Sequence, residues 1–382
     1  MKNFDVYPIY PVEIVRGEGS WVYDNAGQKY LDCYGGHAVI SIGHSHPHYV
    51  KAITEQVQKL GFYSNSIENP LQDNLAELLG SISDCDEYDL FLVNSGAEAN
   101  ENALKLASFR NGKSKVISFK GAFHGRTSAA VNVTDNSSII APINRGFENV
   151  VLPLEDIDAL REEARKGDVS SIIVEGIQGI AGIYEPSKEF LMACREIADE
   201  HDIIMILDEI QSGYGRSGSF FAFQHAEGLR PDIITTAKGM GNGFPVGAVL
   251  ISDKFEAKYG LLGTTFGGNH LACAASIAVL EVIRDEDLVK KSKETGAYIL
   301  DQLSGNPHIV ELRGKGLMIG IELPFPIKDV RKSLLFEHHI FVGSAADPNT
   351  IRLLPPLNLS LAEADMCLEK INAALEKTMS HA

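Results

Sequence analysis

Apolar segments and helix-periodic segments alternate through the middle of the chain. Five short segments are almost continuously apolar, as buried strands are. They are YDLFLV (88–93), KVISF (115–119), SSIIVEG (170–176), DIIMILDE (202–209) and GAVLIS (247–252). Helix-like segments such as Ala97 to Phe109 and Lys188 to Glu200 separate them. Strands that alternate with helices indicate a mainly parallel sheet covered on both faces, so the pattern predicts an α/β core from about residue 50 to about residue 265.

The two ends of the chain follow different patterns. GSWVYDNAGQKYLDC (19–33) alternates aromatic and polar residues around an Asn-Ala-Gly turn, which predicts a small antiparallel sheet. After Gly267, HLACAASIAVLEVIRDEDL predicts a long helix, and VELRGKGLMIGIEL further on predicts a hairpin or a sheet edge. We therefore expect a large domain of residues 46–265 and a smaller α+β domain of residues 266–382, with which residues 1–45 pack.

The charge of the chain excludes some partners. Its 34 Lys and Arg residues against 51 Asp and Glu residues give a net charge of −17, which opposes binding to a phosphate backbone. No segment approaches ~18 uninterrupted apolar residues, and MKNFDVYPIYP lacks the basic and apolar pattern of a leader. We expect a cytoplasmic protein with no nucleic-acid partner and no membrane partner.

Neither the cysteines nor the clustered histidines follow a pattern for redox or metal chemistry. The five cysteines are scattered without CxxC spacing, which indicates reduced and mostly buried thiols. GHSHPH (43–48) could suggest a metal site, but no companion acid or cysteine cluster at ligand spacing accompanies it. We interpret it as a turn at the start of a helix and assign no metal.

An acid and a lysine stand at the ends of two successive predicted strands. Asp208 ends one apolar strand, where open α/β sheets place their ligands. Lys238 follows the next strand, among the small residues of TTAKGMGNGFPVG. This pair suits a cofactor with an aldehyde and a pyridine ring, because the lysine amine forms a Schiff base and the acid keeps the ring nitrogen protonated. Taken alone, Asp208 could also be a helix cap.

A phosphate on such a cofactor would find a place in VNSGAEANENALKLA (93–107). Ser95, Gly96 and Ala97 fall between a strand and a helix, whose free amide donors and dipole favour an anion. Gly96 lets the backbone approach and Ser95 adds a hydroxyl. Turn geometry alone also explains a Ser-Gly pair at this position.

The flat ring and a substrate carboxylate have candidate partners as well. Phe123 in KGAFHGRTSAA could stack on one face of the ring, and Ile210, two residues beyond Asp208, could pack on the other. Arg126 in the same polar loop suits bidentate capture of a carboxylate. A core aromatic and a surface arginine are the alternatives.

Several of these segments together resemble one enzyme family. FLVNSGAEANENALKLA, FHGRT, LDEIQSGYGRSG, TTAKGMGNGFPVGAV and GTTFGGNHLACAA are similar, in this order, to the class III or ornithine-type aminotransferases that use pyridoxal phosphate. The resemblance runs from about Tyr7 to Pro356. It implies the α/β fold type I of the pyridoxal-phosphate transferases, with a mainly parallel central sheet in the large domain.

The resemblance implies roles at the cofactor. Lys238 matches the Schiff-base lysine, which also acts as the base that moves the substrate proton, and Asp208 matches the partner of the ring nitrogen. The other cofactor residues it implies are Ser95, Gly96 and Ala97 at the phosphate, Phe123 and His124 at the ring, Gln211 near the ring hydroxyl, and Thr265, which reaches the phosphate from the other subunit. It therefore implies an obligate homodimer with two shared sites.

The resemblance also implies the substrates. Arg126 matches an arginine that grips a substrate carboxylate, and Arg352 in IRLLPPL matches a second arginine that binds 2-oxoglutarate. Glu175 and Tyr7 complete the expected substrate-binding set. Because RGEGSWVYDNAGQKYLD, GHSHP and IRLLPPL are most similar to acetylornithine and ornithine aminotransferases, we expect transfer of the amino group of an N-acylornithine to 2-oxoglutarate, in arginine biosynthesis.

Two residues depart from the pattern of that family. Ile180, in EGIQGIAG, stands where relatives carry a glutamate that pairs with the second arginine. Without that acid, Arg352 stays available to a carboxylate in both half-reactions, so we hypothesise a donor that itself carries a distal acid, such as succinylornithine. His37, in YGGHAV, stands where ornithine aminotransferases carry a tyrosine, which argues against free ornithine as the donor.

The sequence allows three alternative interpretations: a nicotinamide dehydrogenase, a non-catalytic binding module, and another reaction within the resembling family. GMGNG (239–243) could suggest a nicotinamide dehydrogenase, but it lacks the third glycine, the long following helix and the acid of the dinucleotide pattern. A non-catalytic binding module would not need Asp208 and Lys238 beside a phosphate site. Within the resembling family, an ornithine or other ω-aminotransferase, a racemase, a 2,1-aminomutase or a decarboxylase shares the lysine and the aspartate.

Overall fold

The structure, a computed structural model, describes residues 1–380, which form two sheets and the helices around them. The strands are β1 (Ile14–Glu18), β2 (Trp21–Asp24), β3 (Lys29–Cys33), β4 (Asp89–Val93), β5 (Lys115–Phe119), β6 (Asn149–Leu152), β7 (Val169–Glu175), β8 (Ile204–Asp208), β9 (Ile233–Thr236), β10 (Gly247–Ile251), β11 (Glu311–Lys315), β12 (Met318–Glu322), β13 (Ile340–Ser344) and β14 (Thr350–Leu353). The helices are α1 (Gly35–Ala38), α2 (Pro47–Lys59), α3 (Pro70–Ser83), α4 (Gly96–Asn111), α5 (Ser128–Asn132), α6 (Ile157–Ala164), α7 (Gly179–Gly182), α8 (Lys188–His201), α9 (His270–Asp285), α10 (Leu288–Leu303), α11 (Lys328–Phe336) and α12 (Leu361–Ser380).

The central sheet has the strand order β4-β10-β9-β8-β7-β5-β6. The strands from β6 to β9 pair in parallel, whereas β10 is antiparallel to both β9 and β4. Every residue of β5, β7, β8 and β9 is buried, because helices cover both faces of a parallel sheet. The prediction of a mainly parallel α/β core is confirmed.

The register of three neighbouring strands brings polar residues together. Glu175 at the end of β7 pairs with Asp208 at the end of β8, and Asp208 pairs with Thr235 near the end of β9. Since these strands run parallel, their carboxyl ends open on the same edge of the sheet. The chain then continues directly to Lys238, which begins a short 3-10 turn, Lys238–Met240.

Helix α4 begins at this same edge. Ser95 is its N-cap, and its hydroxyl accepts a hydrogen bond from the amide of Glu98 at 3.2 Å. Gly112, at φ 70°, ends the helix in the left-handed conformation that glycine adopts readily. The buried side of α4 consists largely of alanine and leucine, which lets the helix lie close to β9 and β10.

The second sheet has the order β1-β2-β3-β13-β14-β12-β11. Its first three strands are the predicted antiparallel unit, and the turn between β2 and β3 is held by Asp24, whose Oδ1 accepts from the amides of Ala26 and Gln28. The predicted hairpin is β11–β12, with β11 at the sheet edge. Parallel pairing of β3 with β13 joins the N-terminal strands to those near the C-terminus.

Helix α9 connects the two parts of the chain. It packs against α2 and α3 on one side and α10 on the other, and ten of its residues are buried. The expected boundary at residues 265 and 266 falls in the loop before α9. Among the described residues, no helix combines the length and apolar character needed to cross a bilayer.

The histidine and cysteine segments behave as ordinary structure. His46 is the N-cap of α2, and its Nδ1 accepts from the amide of His48. His46 also contacts Glu286, just beyond the end of α9, and His48 contacts Glu281 on α9. All five cysteines are free and buried, as the sequence predicts.

Candidate active site

A cavity of about 380 Å³ opens at the carboxyl ends of β7 and β8 and beside the N-terminus of α4. Most of the residues predicted from the sequence line it. These are Ser95, Gly96, Ala97, Phe123, His124, Arg126, Glu175, Ile180, Asp208, Ile210, Gln211 and Lys238. The structure therefore brings together residues that lie more than a hundred positions apart in the chain.

Asp208 is held by three donors. Its Oδ2 accepts from Asn100 Nδ2 at 2.8 Å and lies 2.7 Å from His124 Nδ1, while its Oδ1 accepts from the amide of Ile210 at 3.0 Å. The carboxyl group is 4% exposed. Contacts on both oxygens fix the orientation of the carboxyl group. Asp208 can therefore offer an oriented acceptor to a group in the cavity.

Asn100 is a residue of the site that the sequence did not single out. It lies on α4 and is fully buried, with its side chain turned toward the sheet. The available signal was local: Asn100 occupies the same helical face as Ala103, Leu104 and Ala107, so it is an amide in an otherwise apolar stripe. Such a stripe does not say which partner the amide finds across the sheet.

Glu175 lies beside Asp208 and is buried as well. Its Oε1 and Oε2 accept from the amides of Phe123 and Gly179, each at 3.0 Å. Burial raises the pKa of Glu175 to about 7, and nearby Asp208 adds to this, although His124 and the two amides act in the opposite direction. Glu175 thus exchanges a proton near neutral pH inside the cavity wall.

Lys238 lies half-buried on the cavity wall at a left-handed backbone position, with φ 44°. Burial lowers the pKa of its amine, and Asp208 and Glu175 partly oppose this effect. No hydrogen-bond partner of the amine occurs among residues 1–380. A lysine that is more easily deprotonated and free of partners is suited to attack an aldehyde.

The glycines after Lys238 serve a tight turn. A Cβ on Gly241 would lie 2.1 Å from the carbonyl oxygen of Phe244, so no other residue fits without a backbone shift. The Asn242 side chain accepts from the amides of Ser41 and Ile42 and donates to the carbonyl of Gly43. The turn therefore fastens the lysine segment to the loop that follows α1.

The N-terminus of α4 offers donors for a phosphate. Within the described residues, the amides of Gly96 and Ala97 have no acceptor. A Cβ on Gly96 would lie 2.8 Å from the side chain of Ile210, which also lines the cavity. Free amides at a helix N-terminus, a buried acid and a lysine with a lowered pKa are the groups that pyridoxal phosphate requires. The residues present fit this cofactor.

Two arginines lie at this site in different environments. Arg126 is exposed on the loop before α5 and lines the cavity. Arg352 on β14 is 2% exposed, and its guanidinium donates to the carbonyls of Ser344 and Gly179 and to Gln211 Oε1. Burial lowers the pKa of Arg352 to about 10. Within residues 1–380 no carboxylate forms an ion pair with it, and apolar Ile180 follows Gly179.

His37 lies near the same arginine. A nitrogen of its ring is 2.6 Å from Tyr34 Oη, and its carbonyl accepts from Gln211 Nε2 at 3.0 Å. Burial lowers the pKa of His37, and the charges of Arg352 and Lys238 add to this effect. The imidazole therefore stays neutral at physiological pH and can hydrogen-bond without adding another positive charge.

Thr265 and Tyr7 lie away from the cavity in the single chain. Thr265 is exposed on the loop before α9, and Tyr7 is 76% exposed in the N-terminal segment. Neither residue is among those that line the cavity. Their predicted roles at the cofactor and substrate are therefore not met by the chain that supplies Lys238.

The fold and the site together define a class of protein. A lysine and a buried acid at neighbouring strand ends, beside free amides at a helix N-terminus, define an α/β enzyme that carries pyridoxal phosphate on a lysine. The sequence pattern of the family described as Aminotransferase class-III matches residues 4–375. The chain belongs to this family and is a pyridoxal-phosphate-dependent aminotransferase.

Individual relatives agree with this assignment. The chain is 39% identical over 380 residues to the acetylornithine aminotransferase of Bacillus subtilis (strain 168), covering 97% of both chains. It is 40% identical to that of Caldanaerobacter subterraneus subsp. tengcongensis, covering 98% of this chain and 97% of the relative. Among solved structures, the ornithine aminotransferase of Toxoplasma gondii ME49 is similar at a TM-score of 0.92 and 29% identity, covering 99% of this chain and 93% of the other.

Proposed function

We propose that the chain transfers the amino group of an N-acylornithine to 2-oxoglutarate, giving N-acylglutamate semialdehyde and glutamate, in arginine biosynthesis. The observation that carries the proposal is that Arg126 lines the cavity of Lys238, while Arg352, which does not line it, donates to Gln211 in the cavity wall. Two carboxylate anchors suit the couple of glutamate and 2-oxoglutarate. The relatives named acetylornithine aminotransferase, at near full length, support the choice of donor.

Each residue of the site has a proposed role. Pyridoxal phosphate supplies an aldehyde and an electron-withdrawing ring. Lys238 would hold the cofactor at its aldehyde carbon and would move the proton of the reacting substrate carbon. Asp208 would hold the ring nitrogen, Gln211 the ring hydroxyl, and Ser95, Gly96 and Ala97 the phosphate. Phe123, His124 and Ile210 would hold the ring in place.

Four further residues are assigned to the substrates. Arg126 binds the carboxylate of either substrate, and Arg352 binds the second carboxylate of 2-oxoglutarate. Glu175 lines the cavity and is assigned to the substrate. Tyr7 lies outside the cavity of its own chain, and its assignment to the substrate rests on the family resemblance alone. We place this chemistry in the cytoplasm.

A homodimer with shared sites completes the proposal. Thr265 would reach the phosphate of the partner subunit, which accounts for its exposed position outside the cavity of its own chain. Exposed aromatic and aliphatic side chains accompany it: the rings of Phe62 and Phe266 contact each other in a tilted arrangement with centroids 5.3 Å apart, and Ile67 is 59% exposed. An apolar patch of this kind marks a surface that another chain covers.

The acyl group of the donor is the finer part of the proposal. Because Ile180 offers no carboxylate to Arg352, the site keeps both arginine charges when the donor binds. A more negative donor gains from this charge, so succinylornithine is favoured over acetylornithine. Ile180→Glu should reduce the ratio of kcat/KM for succinylornithine to kcat/KM for acetylornithine by about 10-fold. The uncharged variant Ile180→Gln should leave this ratio unchanged. Preference of the wild type for acetylornithine would sink this part of the proposal.

The activity itself is tested by absorbance. The visible band of the bound cofactor should bleach when an N-acylornithine is added and should return with 2-oxoglutarate, as a ping-pong transfer requires. A band that is present but does not cycle with any acylornithine would overturn the donor and point to another class III reaction. Absence of a band after addition of pyridoxal phosphate would contradict the role of Lys238.

A further inference from the structure

Asn100 joins three parts of the site through one side chain. Its Nδ2 donates to Asp208 Oδ2 at 2.8 Å and to the carbonyl oxygen of His124 at 2.7 Å. Its Oδ1 accepts from Thr235 Oγ1 at 2.7 Å. The partners lie at the end of β8, on the loop after β5 and on β9, the strand that leads to Lys238. No sequence motif discussed above assigned Asn100 a function.

The orientation of this amide is determined by its surroundings. Reversing the amide would place Oδ1 against two oxygens, those of Asp208 and His124, which cannot donate unless protonated. As it stands, both hydrogens of Nδ2 and one lone pair of Oδ1 are used. A fully buried amide with these partners is rigid, because any rotation leaves buried groups unpaired.

The network leaves Asp208 with one direction free. Oδ2 is occupied by Asn100 and His124, and Oδ1 accepts only from the amide of Ile210. An ionised carboxylate has about four acceptor positions, so the remaining one is on Oδ1. Asp208 also lines the cavity. A hydrogen-bond donor in the cavity can therefore bind Asp208 Oδ1. The orientation of this oxygen is set by the contacts of Oδ2 with Asn100 and His124.

We propose that Asn100 is a positioning residue that fixes the Asp208 carboxylate and directs its Oδ1 at the ring nitrogen of the cofactor. The proposal rests on the proposed role of Asp208. Asn100 also fixes the carbonyl of His124, next to Phe123, and the hydroxyl of Thr235, three residues before Lys238. One amide thereby contacts the acid, the ring-stacking loop and the strand before Lys238, and we assign the effect on the cofactor to the contact with Asp208.

Asn100→Asp is the informative variant because it changes one donor into an acceptor at constant shape. Oδ1 still accepts from Thr235, but the former Nδ2 becomes an oxygen facing Asp208 Oδ2. Two carboxylates at this distance share a proton, so Asp208 loses part of its charge. Asn100→Ser, which removes the amide without adding charge, gives a second test if the aspartate variant does not fold.

Thr235→Val is the matched control. It is nearly isosteric and removes the hydroxyl on the other end of the amide, but it leaves both contacts of Asn100 Nδ2 intact. Thr235→Val removes one buried hydrogen bond and Asn100→Asp disturbs the two that Nδ2 donates, so both substitutions should lower the thermal midpoint of the apoprotein. Only loss of the contact to Asp208 should change the cofactor.

Two readouts decide the question without any amino donor. Asn100→Asp should weaken pyridoxal-phosphate binding to the apoprotein by about 10-fold and move the pH midpoint of the visible cofactor band by about one unit. Asn100→Ser should act in the same direction, and Thr235→Val should leave both quantities near those of the wild type. The kcat of Asn100→Asp should fall while the substrate KM stays unchanged.

The outcomes separate this proposal from the proposed function. If Asn100→Asp and Asn100→Ser lower the thermal midpoint but keep the wild-type cofactor affinity and pH midpoint, Asn100 has only a structural role. Equal effects of Thr235→Val and Asn100→Asp on the cofactor would also overturn the assignment to Asp208. A wild type that binds the cofactor but does not turn over acylornithine would refute the proposed donor and leave the comparison of variants valid.

Discussion

At the scale of single residues, Glu175 links the pH of the solution to the stability of the fold. Its pKa is about 7 in the folded chain against an ordinary value of 4.5. Between these two values the unfolded chain loses its proton and the folded chain keeps it. The folded state therefore binds more protons, and this contribution to stability is complete below about pH 4.5 and is lost as the pH rises through about 7.

Glu175→Gln should remove this dependence, because glutamine does not titrate. The variant should become more stable relative to the wild type by about 3 kcal/mol between pH 4.5 and pH 8. The measurement is the thermal midpoint of both apoproteins at several pH values. Glu209 is the control, because burial raises its pKa to about 7 as well but it does not line the cavity.

Glu209→Gln should change the pH dependence of stability in the same sense and leave the pH dependence of cofactor binding alone. Parallel curves for the wild type and Glu175→Gln would show that Glu175 is ionised in the folded chain throughout this range. The two amides that donate to its carboxylate would then outweigh its burial.

Individual site residues could be predicted from the sequence where their residue types, at their positions, have few chemical explanations. Asp208 and Lys238 at successive strand ends have one shared chemical explanation, and both line the cavity. Asn100 escaped because a buried amide serves many purposes and its partners are remote in sequence. Arg352 was expected to bind a carboxylate, but its contacts with backbone carbonyls become visible only when β14 is placed against α7.

At the scale of elements, α4 has two tasks at its first turn. Ser95 caps the helix, and the adjacent free amides face the cavity. Ser95→Ala should therefore cost about 1 kcal/mol in helix capping and also weaken binding of pyridoxal phosphate. Differential scanning calorimetry of the apoprotein and a cofactor titration measure the two effects separately.

The N-cap of α8 supplies the comparison. Ser187 accepts from the amide of Phe190 as Ser95 does from Glu98, but it does not line the cavity. Ser187→Ala should lower stability and keep the cofactor affinity of the wild type. If both variants bind the cofactor as the wild type does, Ser95 acts only as a helix cap.

Elements were predictable where the pattern is local. The apolar strands, the helices beginning near Ala97 and Lys188, and the hairpin of β11 and β12 match the structure closely. The antiparallel direction of β10 and the pairing of β3 with β13 were not predicted. Periodicity describes which face of a strand is buried, but it carries no information about a partner strand three hundred residues away.

At the scale of the whole molecule, side-chain hydrogen bonds link the second sheet to the wall of the cavity. Arg352 of the second sheet bonds Gly179 and Gln211 at the cavity, and Arg216 donates to the carbonyls of Ile40 and Leu317. The single chain thus supplies the acid, the lysine and both arginines. Thr265 is the predicted cofactor residue that it does not bring to the cavity.

Mixing two defective variants tests whether Thr265 acts in the site of the partner subunit. Lys238→Ala removes the lysine of its own site, and Thr265→Asp places a carboxylate near the phosphate of the other. With shared sites, a mixed dimer has one intact site and one with both defects, so an equal mixture should regain about a quarter of the wild-type activity. The control pairs Lys238→Ala with Asp208→Asn, which act in the same site, so neither site of their mixed dimer is intact. No recovery in the test after verified subunit exchange would assign Thr265 to its own chain or to no site. Recovery in the control would show that mixing restores activity without shared sites, and the test would then not support the role of Thr265.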